Sequence, residues 1–288
     1  MEISIRSKEL KLTVVDMQVF DGTQSYSFAA QNLWHRMIPL YHSWVGLQTA
    51  MHKYDLVSEQ VVFYFNCQKH GKHLDDLPNE WEKMGEVSCD ETLLDNADIV
   101  ILPPNNGFLW DLAWDMELRC HDSIMFKSFA SLFVDKSSRV EPTEPMGCLI
   151  SRKGRPNRRV QNWNETLTMM KEVFPRVQVL TLTQYHTTDE TVRILQDCRV
   201  LFGVHGAGHS NALFTRPGVA VVEMIGNAKP AYFRNINMLL GQYYESIQGD
   251  SAHGMSGLYM VNLTEAKGAL ARANEHTRLW IQSHGHWR

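Results

Sequence analysis

The chain has 288 residues, of which 44% are hydrophobic and 21% charged, and its net charge is −4. That length suits two domains of about 140 residues, and the composition is that of a folded globular protein rather than a disordered or fibrous one. No run approaches the ~20 apolar residues of a membrane span, and the slightly acidic balance gives no general reason to expect nucleic acid.

The N-terminus, MEISIRSKELKLTVVD, alternates polar and apolar residues and lacks the basic-then-apolar pattern of a secretory leader. A cytoplasmic chain is therefore expected. The five cysteines, Cys67, Cys89, Cys120, Cys148 and Cys198, are odd in number, scattered and without a C-x-x-C pair. They read as reduced, mostly buried thiols rather than a disulfide framework or a zinc knuckle. The sequons at Asn164 and Asn262 do not decide the compartment.

Taken in chain order, LKLTVVDMQVF predicts a strand. SFAAQNLWHRMIPLYHSWVGLQTAMHKY has apolar residues at helical spacing and predicts one long helix or two short ones, interrupted near Pro39. QVVFYFN is a buried strand, ETLLDNADIVILPPNN runs from a helix end or turn into another, and SIMFKSFASLFVD is helical. The polar, twice proline-bearing SSRVEPTEPMG predicts a linker at 137–146, dividing the chain into domains 1–140 and 141–288.

The second half alternates more regularly. The strand GCLISRK leads to the helix NETLTMMKEVF, capped by Asn164, then the strand VQVLTLT and the helix TDETVRILQDC. The strand RVLFGV, a glycine loop, a short helix and the strand VAVVEMI complete the series. Such an alternation packs as a parallel sheet covered by helices, with ligands at the carboxyl ends of its strands.

The loop, from His205 to Asn211, reads HGAGHSN. Between a strand and a helix, its amides and the helix dipole converge at that edge and favour an anion. Gly206 and Gly208, without Cβ atoms, let a phosphate approach the backbone on either side of Ala207, while Ser210 and Asn211 can add side-chain donors. A simple tight turn is the plainer alternative. The glycine spacing is neither the dinucleotide fingerprint nor a Walker loop. His205 and His209 are spaced like a helical zinc pair, but the intervening glycine disfavours helix and no H-E-x-x-H glutamate is present.

The stretch SRKGRPNRR supplies Arg152, Lys153, Arg155, Arg158 and Arg159 just after the first strand of this half, so they should emerge at the same edge. A solvated surface loop is the alternative. No aromatic residues are interleaved as in nucleic-acid binders, and a compact diphosphate suits the cluster better.

These residues resemble glycosyltransferase family 61. Over about 148–225, LISRKGRPNRRVQNWNE and GVHGAGHSNALFTRPGVAVVE match its R-[RK]-x(n)-R-x-[IV]-x-N-E and G-x-H-G-A-G-L-[TS]-N-x-x-F-x-x-P-G motifs, with His209 where the family usually has leucine. NLWH, at 32–35, looks like the family's N-x-[WFY]-H. The resemblance implies a GT-B architecture, two Rossmann-like lobes across a cleft, with an N-terminal acceptor lobe and a sugar nucleotide in the C-terminal lobe. In such a fold the last helix can return to the N-terminal lobe. It also implies an inverting transfer from a UDP-sugar, xylose first and N-acetylglucosamine second, to a glycan or glycoprotein hydroxyl. Glu223 is placed like the acid that holds ribose hydroxyls in GT-B enzymes, with an exposed strand-end carboxylate as the alternative.

No D-x-D triplet occurs in the chain, so metal independence is expected, with arginine and helix dipole in the cation's place. No other cofactor is expected. The base should come from the first half. His35 ranks first, because histidine titrates near neutrality, and Asp115 second. Asp111 and Asp115 lie one helical turn apart beside Trp110 and Trp114, a credible sugar-stacking surface; Asp16 and Asp21 are further candidates. The absence of leader and anchor fits a bacterial enzyme, one encoded by a large virus, or a trimmed Golgi-type enzyme. The other reading is an inactive nucleotide-sugar or glycan-binding protein of the same fold.

Overall fold

A computed structural model describes residues 9–17, 33–55, 57–70, 81, 83–102, 120–134, 144–153, 157–181, 189–226, 231–251 and 257–284. These fall into two compact units, one within 1–110 and the other within 111–288. Both are α/β, and each is built on a parallel sheet.

In the first unit the strands β1 (Glu9–Asp16), β2 (Val57–Tyr64), β3 (Glu86–Ser88) and β4 (Ile99–Ile101) lie in the order β3-β2-β1-β4, with every pairing parallel. Central β1 buries Leu10, Val14 and Val15. Helix α1 (Leu33–Tyr54) is one continuous helix of 22 residues running through position 39, the single-helix form of the two alternatives. Its buried Met37, Leu40, Tyr41, Trp44 and Leu47 recur at helical spacing. That packing outweighs the ~3 kcal/mol an interior proline costs. Short helices α2 (Cys67–His70) and α3 (Thr92–Asn96) follow β2 and β3.

In the second unit β5 (Met146–Ser151), β6 (Arg176–Thr181), β7 (Cys198–Val204), β8 (Ala220–Ile225) and β9 (Tyr243–Gln248) form a sheet of order β6-β5-β7-β8-β9, again parallel throughout. The buried runs MGCLIS and AVVEMI explain β5 and β8, since parallel strands are covered on both faces. Helices α5 (Trp163–Val173) and α6 (Asp189–Asp197) make the crossovers. Two elements beyond the expected series, α7 (Tyr232–Leu240) and β9, extend the sheet. Strands β10 (Asp250–Ser251) and β11 (Tyr259–Met260) form an antiparallel pair. The last helix, α8 (Leu263–His284), buries Ala266, Ala269, Leu270 and Ala273 in the core of this same unit. Helix α4 (Cys120–Ala130), ahead of the expected 140/141 boundary, also belongs to it, and Ser123 Oγ donates to the Leu239 carbonyl of α7 at 2.6 Å.

Two expectations are corrected. Four of the five cysteines are paired, Cys67 with Cys89 and Cys148 with Cys198. The Cys148–Cys198 bond ties adjacent strands β5 and β7, a neighbourhood set by sheet order that spacing along the chain does not reveal. Such bonds persist in oxidising surroundings, not under the reducing conditions that free thiols imply. The residue capping α5 is Asn162, not Asn164. Its side chain both donates to the Val261 carbonyl and accepts from the Val261 amide, holding the helix start to the chain 99 residues on. Among the described residues no helix is long and apolar enough to cross a membrane.

Candidate functional site

β7 ends at Val204, and the chain turns through His205 and Gly206 into a 3₁₀ helix at Ala207–Phe214. Gly206 has φ +148°, a conformation that side-chain-bearing residues rarely adopt. A Cβ there would stand 2.8 Å from Nη1 of Arg152 and 2.8 Å from Nη1 of Arg158. Two guanidiniums thus meet over one bare stretch of backbone at the carboxyl edge of the sheet. Arg158 Nη1 also donates to the His205 carbonyl at 3.1 Å.

Arg158 is partly buried and has no ion pair with any described residue, and its Nε, sealed from solvent, lacks a hydrogen bond among them. Burial pulls its guanidinium below the ordinary value, although Tyr259 acts the other way. A desolvated cation without a carboxylate is costly, and a bound anion would relieve that cost.

The loop carrying Arg158 is held from far along the chain. The Arg158 amide donates to the Gly257 carbonyl at 2.9 Å, the Tyr259 amide to the Arg159 carbonyl at 2.8 Å, and the Gln161 amide to the Tyr259 carbonyl at 2.8 Å. This bracing fixes Arg158 at φ +59°, a left-handed conformation unusual for a residue with a side chain.

Beneath the loop lies a buried polar group. Glu223, on β8, is wholly inaccessible. Its Oε1 is 2.6 Å from His205 Nδ1, and its Oε2 accepts the Tyr244 hydroxyl at 2.6 Å. Burial pushes this carboxyl upward, but the bonds from His205 and Tyr244 and the neighbouring His209 ring outweigh it, leaving Glu223 below the usual range. Burial and the Glu223 charge raise the Tyr244 phenol well above its ordinary value.

A search of curated proteins returned no match, whereas residues 111–222 match the family described as glycosyltransferase 61. The matched segment contains both the arginine loop and the turn they converge on. Over this segment the chain is similar to glycosyltransferase family 61. Its two parallel-sheet units are consistent with the Rossmann-like, GT-B type of glycosyltransferase fold.

The other expected site residues sort by depth. Arg152 and Arg158 reach Gly206, whereas Lys153 and Arg159 are exposed. Ala207 and Gly208 are partly exposed at the start of the 3₁₀ helix. Ser210 and Asn211 are buried; Asn211 Nδ2 donates to the Gly208 carbonyl at 2.8 Å, closing the loop on itself. His209, the departure from the family motif, is fully buried, its Nε2 3.2 Å from the Gly203 carbonyl, and burial lowers its pKa. Glu223, expected near a ribose, has both oxygens engaged inside the unit. His35 lies in the first turns of α1, its side chain outside the described residues. Asp21, Asp111 and Asp115 are outside them altogether. Sequence reading missed Tyr244 and the brace at 257–261. The YY pair opening a strand was the available signal for Tyr244, and nothing local marks the brace.

Proposed function

We propose that the second unit binds a UDP-sugar by its diphosphate, held over Gly206 by Arg152 and Arg158, and that the enzyme transfers the sugar with inversion. The observation that carries this reading is the meeting of two guanidiniums, one partly buried and unpaired with any described carboxylate, over the turn of the family motif. A nucleoside diphosphate supplies the two negative charges such a site needs. Guanidinium and loop amides would then stabilise the departing diphosphate, so no divalent cation is required. Xylose is the first choice of sugar and N-acetylglucosamine the second, with a glycan or glycoprotein hydroxyl as acceptor. The base is assigned to the first half of the chain, His35 ahead of Asp115 and Asp111.

Calorimetric titration with UDP and with uridine tests the reading. Arg152→Ala and Arg158→Ala should each weaken UDP binding by about 1.5–3 kcal/mol, as expected for loss of a charge-assisted contact, and leave uridine binding nearly unchanged. Equal losses for both ligands would show that the arginines do not face the diphosphate. Transfer should persist in EDTA, and loss reversed by Mn²⁺ would overturn the metal-free assignment.

A further inference from the structure

A carboxylate sealed inside a protein must have its lone pairs satisfied, and Glu223 has one oxygen engaged by Tyr244 and the other by His205. An ionised carboxylate only accepts, so the His205 Nδ1–H donates to it and the ring orientation is fixed. His205 Nε2 makes no hydrogen bond with the described residues, and it is not among their sealed, unpartnered atoms. Its side chain keeps 9% exposure. This ring belongs to the residue whose carbonyl Arg158 holds, immediately before Gly206.

We propose that Glu223 is a positioning residue that locks the His205 ring with Nδ1–H inward and presents Nε2 to the leaving diphosphate as its proton donor. The assignment rests on the nucleotide-sugar reading above. In the transfer, the acceptor oxygen bonds to C1 of the sugar while the bond from C1 to the β-phosphate oxygen breaks, its electron pair passing to that oxygen. The acceptor's proton goes to the base. The His205 imidazolium gives its Nε2 proton to the phosphate oxygen, Glu223 stays ionised throughout, and the ring recovers its proton from water. The groups around the ring are Glu223 on β8, Tyr244 on β9, His209 in the 3₁₀ helix and Arg158 at the His205 carbonyl, with Arg152 acting on His209 and Arg234 of α7 acting on Tyr244.

The test combines calorimetry, kinetics and nitrogen-15 NMR of labelled histidines, with UDP and inorganic pyrophosphate as probes. The native protein should show a His205 Nδ1–H bonded to carboxylate, and UDP should move the Nε2 resonance. Glu223→Gln should abolish the Nδ1 signature, leave the UDP Kd within about threefold, and lower kcat for transfer or donor hydrolysis at least about tenfold. The pH profile of this variant should differ from that of the native protein. Tyr244→Phe, which keeps the carboxylate and removes one hydrogen bond, should give an intermediate effect and covers the case in which Glu223→Gln does not fold. UDP binding with an unmoved Nε2 overturns the proposal, as does native kcat and pH profile in a folded Glu223→Gln or Tyr244→Phe protein. Failure of the native protein to bind either UDP or pyrophosphate overturns the underlying nucleotide reading instead.

Discussion

The two units share an architecture and differ in the charge at the carboxyl edges of their sheets. In the first, β1 ends at Asp16, β2 at Tyr64 and β3 just before Asp90 and Glu91. The Tyr64 phenol is raised by burial and then by Glu91, Asp16 and Asp90, which marks that edge as acidic. In the second, the corresponding edge carries Arg152 and Arg158 over a bare backbone turn. A parallel sheet offers a place for a ligand, and the residues that follow its strands decide which ligand. An acidic edge repels a diphosphate and suits proton abstraction; a basic one does the reverse.

The largest expected effect tests whether both units depend on their cross-links. Loss of the Cys148–Cys198 bond, which closes 50 residues, should cost about 4 kcal/mol, and loss of Cys67–Cys89, which closes 22, about 3 kcal/mol. Hydrogen exchange on peptides from each unit, in Cys198→Ala and Cys89→Ala proteins, should show the larger loss of protection in the second unit. No loss from either variant would return the cysteines to the free state expected from their spacing.

Both units also bury a histidine, and here the first should be the more sensitive to acid. Burial lowers the pKa of His42 from 6.5 to about 4, and its Nε2 has no hydrogen bond among the described residues. His209 has the Gly203 carbonyl at its Nε2 and the Glu223 charge nearby. Between pH 6.5 and 4 the unfolded chain takes up a proton that folded His42 refuses. Its effect is therefore absent above pH 6.5 and grows as pH falls, reaching about 3 kcal/mol of lost stability near pH 4. Urea unfolding across that range should show the loss, and His42→Leu should flatten it; an unchanged slope would place the acid sensitivity elsewhere.

The smallest effect sharpens the contrast most. Gly85 in the first unit and Gly206 in the second have nearly the same φ, +146° and +148°. Alanine at either should cost roughly 1–3 kcal/mol of stability through backbone strain. At 85 the new methyl meets the Phe63 ring, whereas at 206 it meets both guanidiniums. Only Gly206→Ala should therefore weaken UDP binding in a titration, and equal weakening by both would mean that the glycine turn carries no special role.

Much of this was legible in the residues themselves. Strands buried on both faces read as short apolar runs, which is why β5, β7 and β8 stand out, and the glycine turn and arginine-rich loop were expected at one strand edge, where Arg152 and Arg158 do meet Gly206. What was hidden depends on neighbours distant in the chain. Cys148 meets Cys198 because β5 lies beside β7, a fact of sheet order. Glu223 ends a motif and invites an outward role, yet its alternation along β8 and its pairing with β9 place it between His205 and Tyr244. The helix through position 39 shows tertiary packing overriding a local breaker.

The brace on the arginine loop bears on how portable the family segment is. Residues 111–222 contain the arginine loop and the glycine turn, but Arg158, Arg159 and Gln161 are fastened by backbone bonds to Gly257 and Tyr259, and Asn162 by its side chain to Val261. A fragment cut after β9 would keep the motifs intact while releasing the loop that aims Arg158. The segment that matches the family is thus smaller than the part that holds the loop in place, and grafting the motif into another scaffold would require carrying along an anchor some hundred residues away.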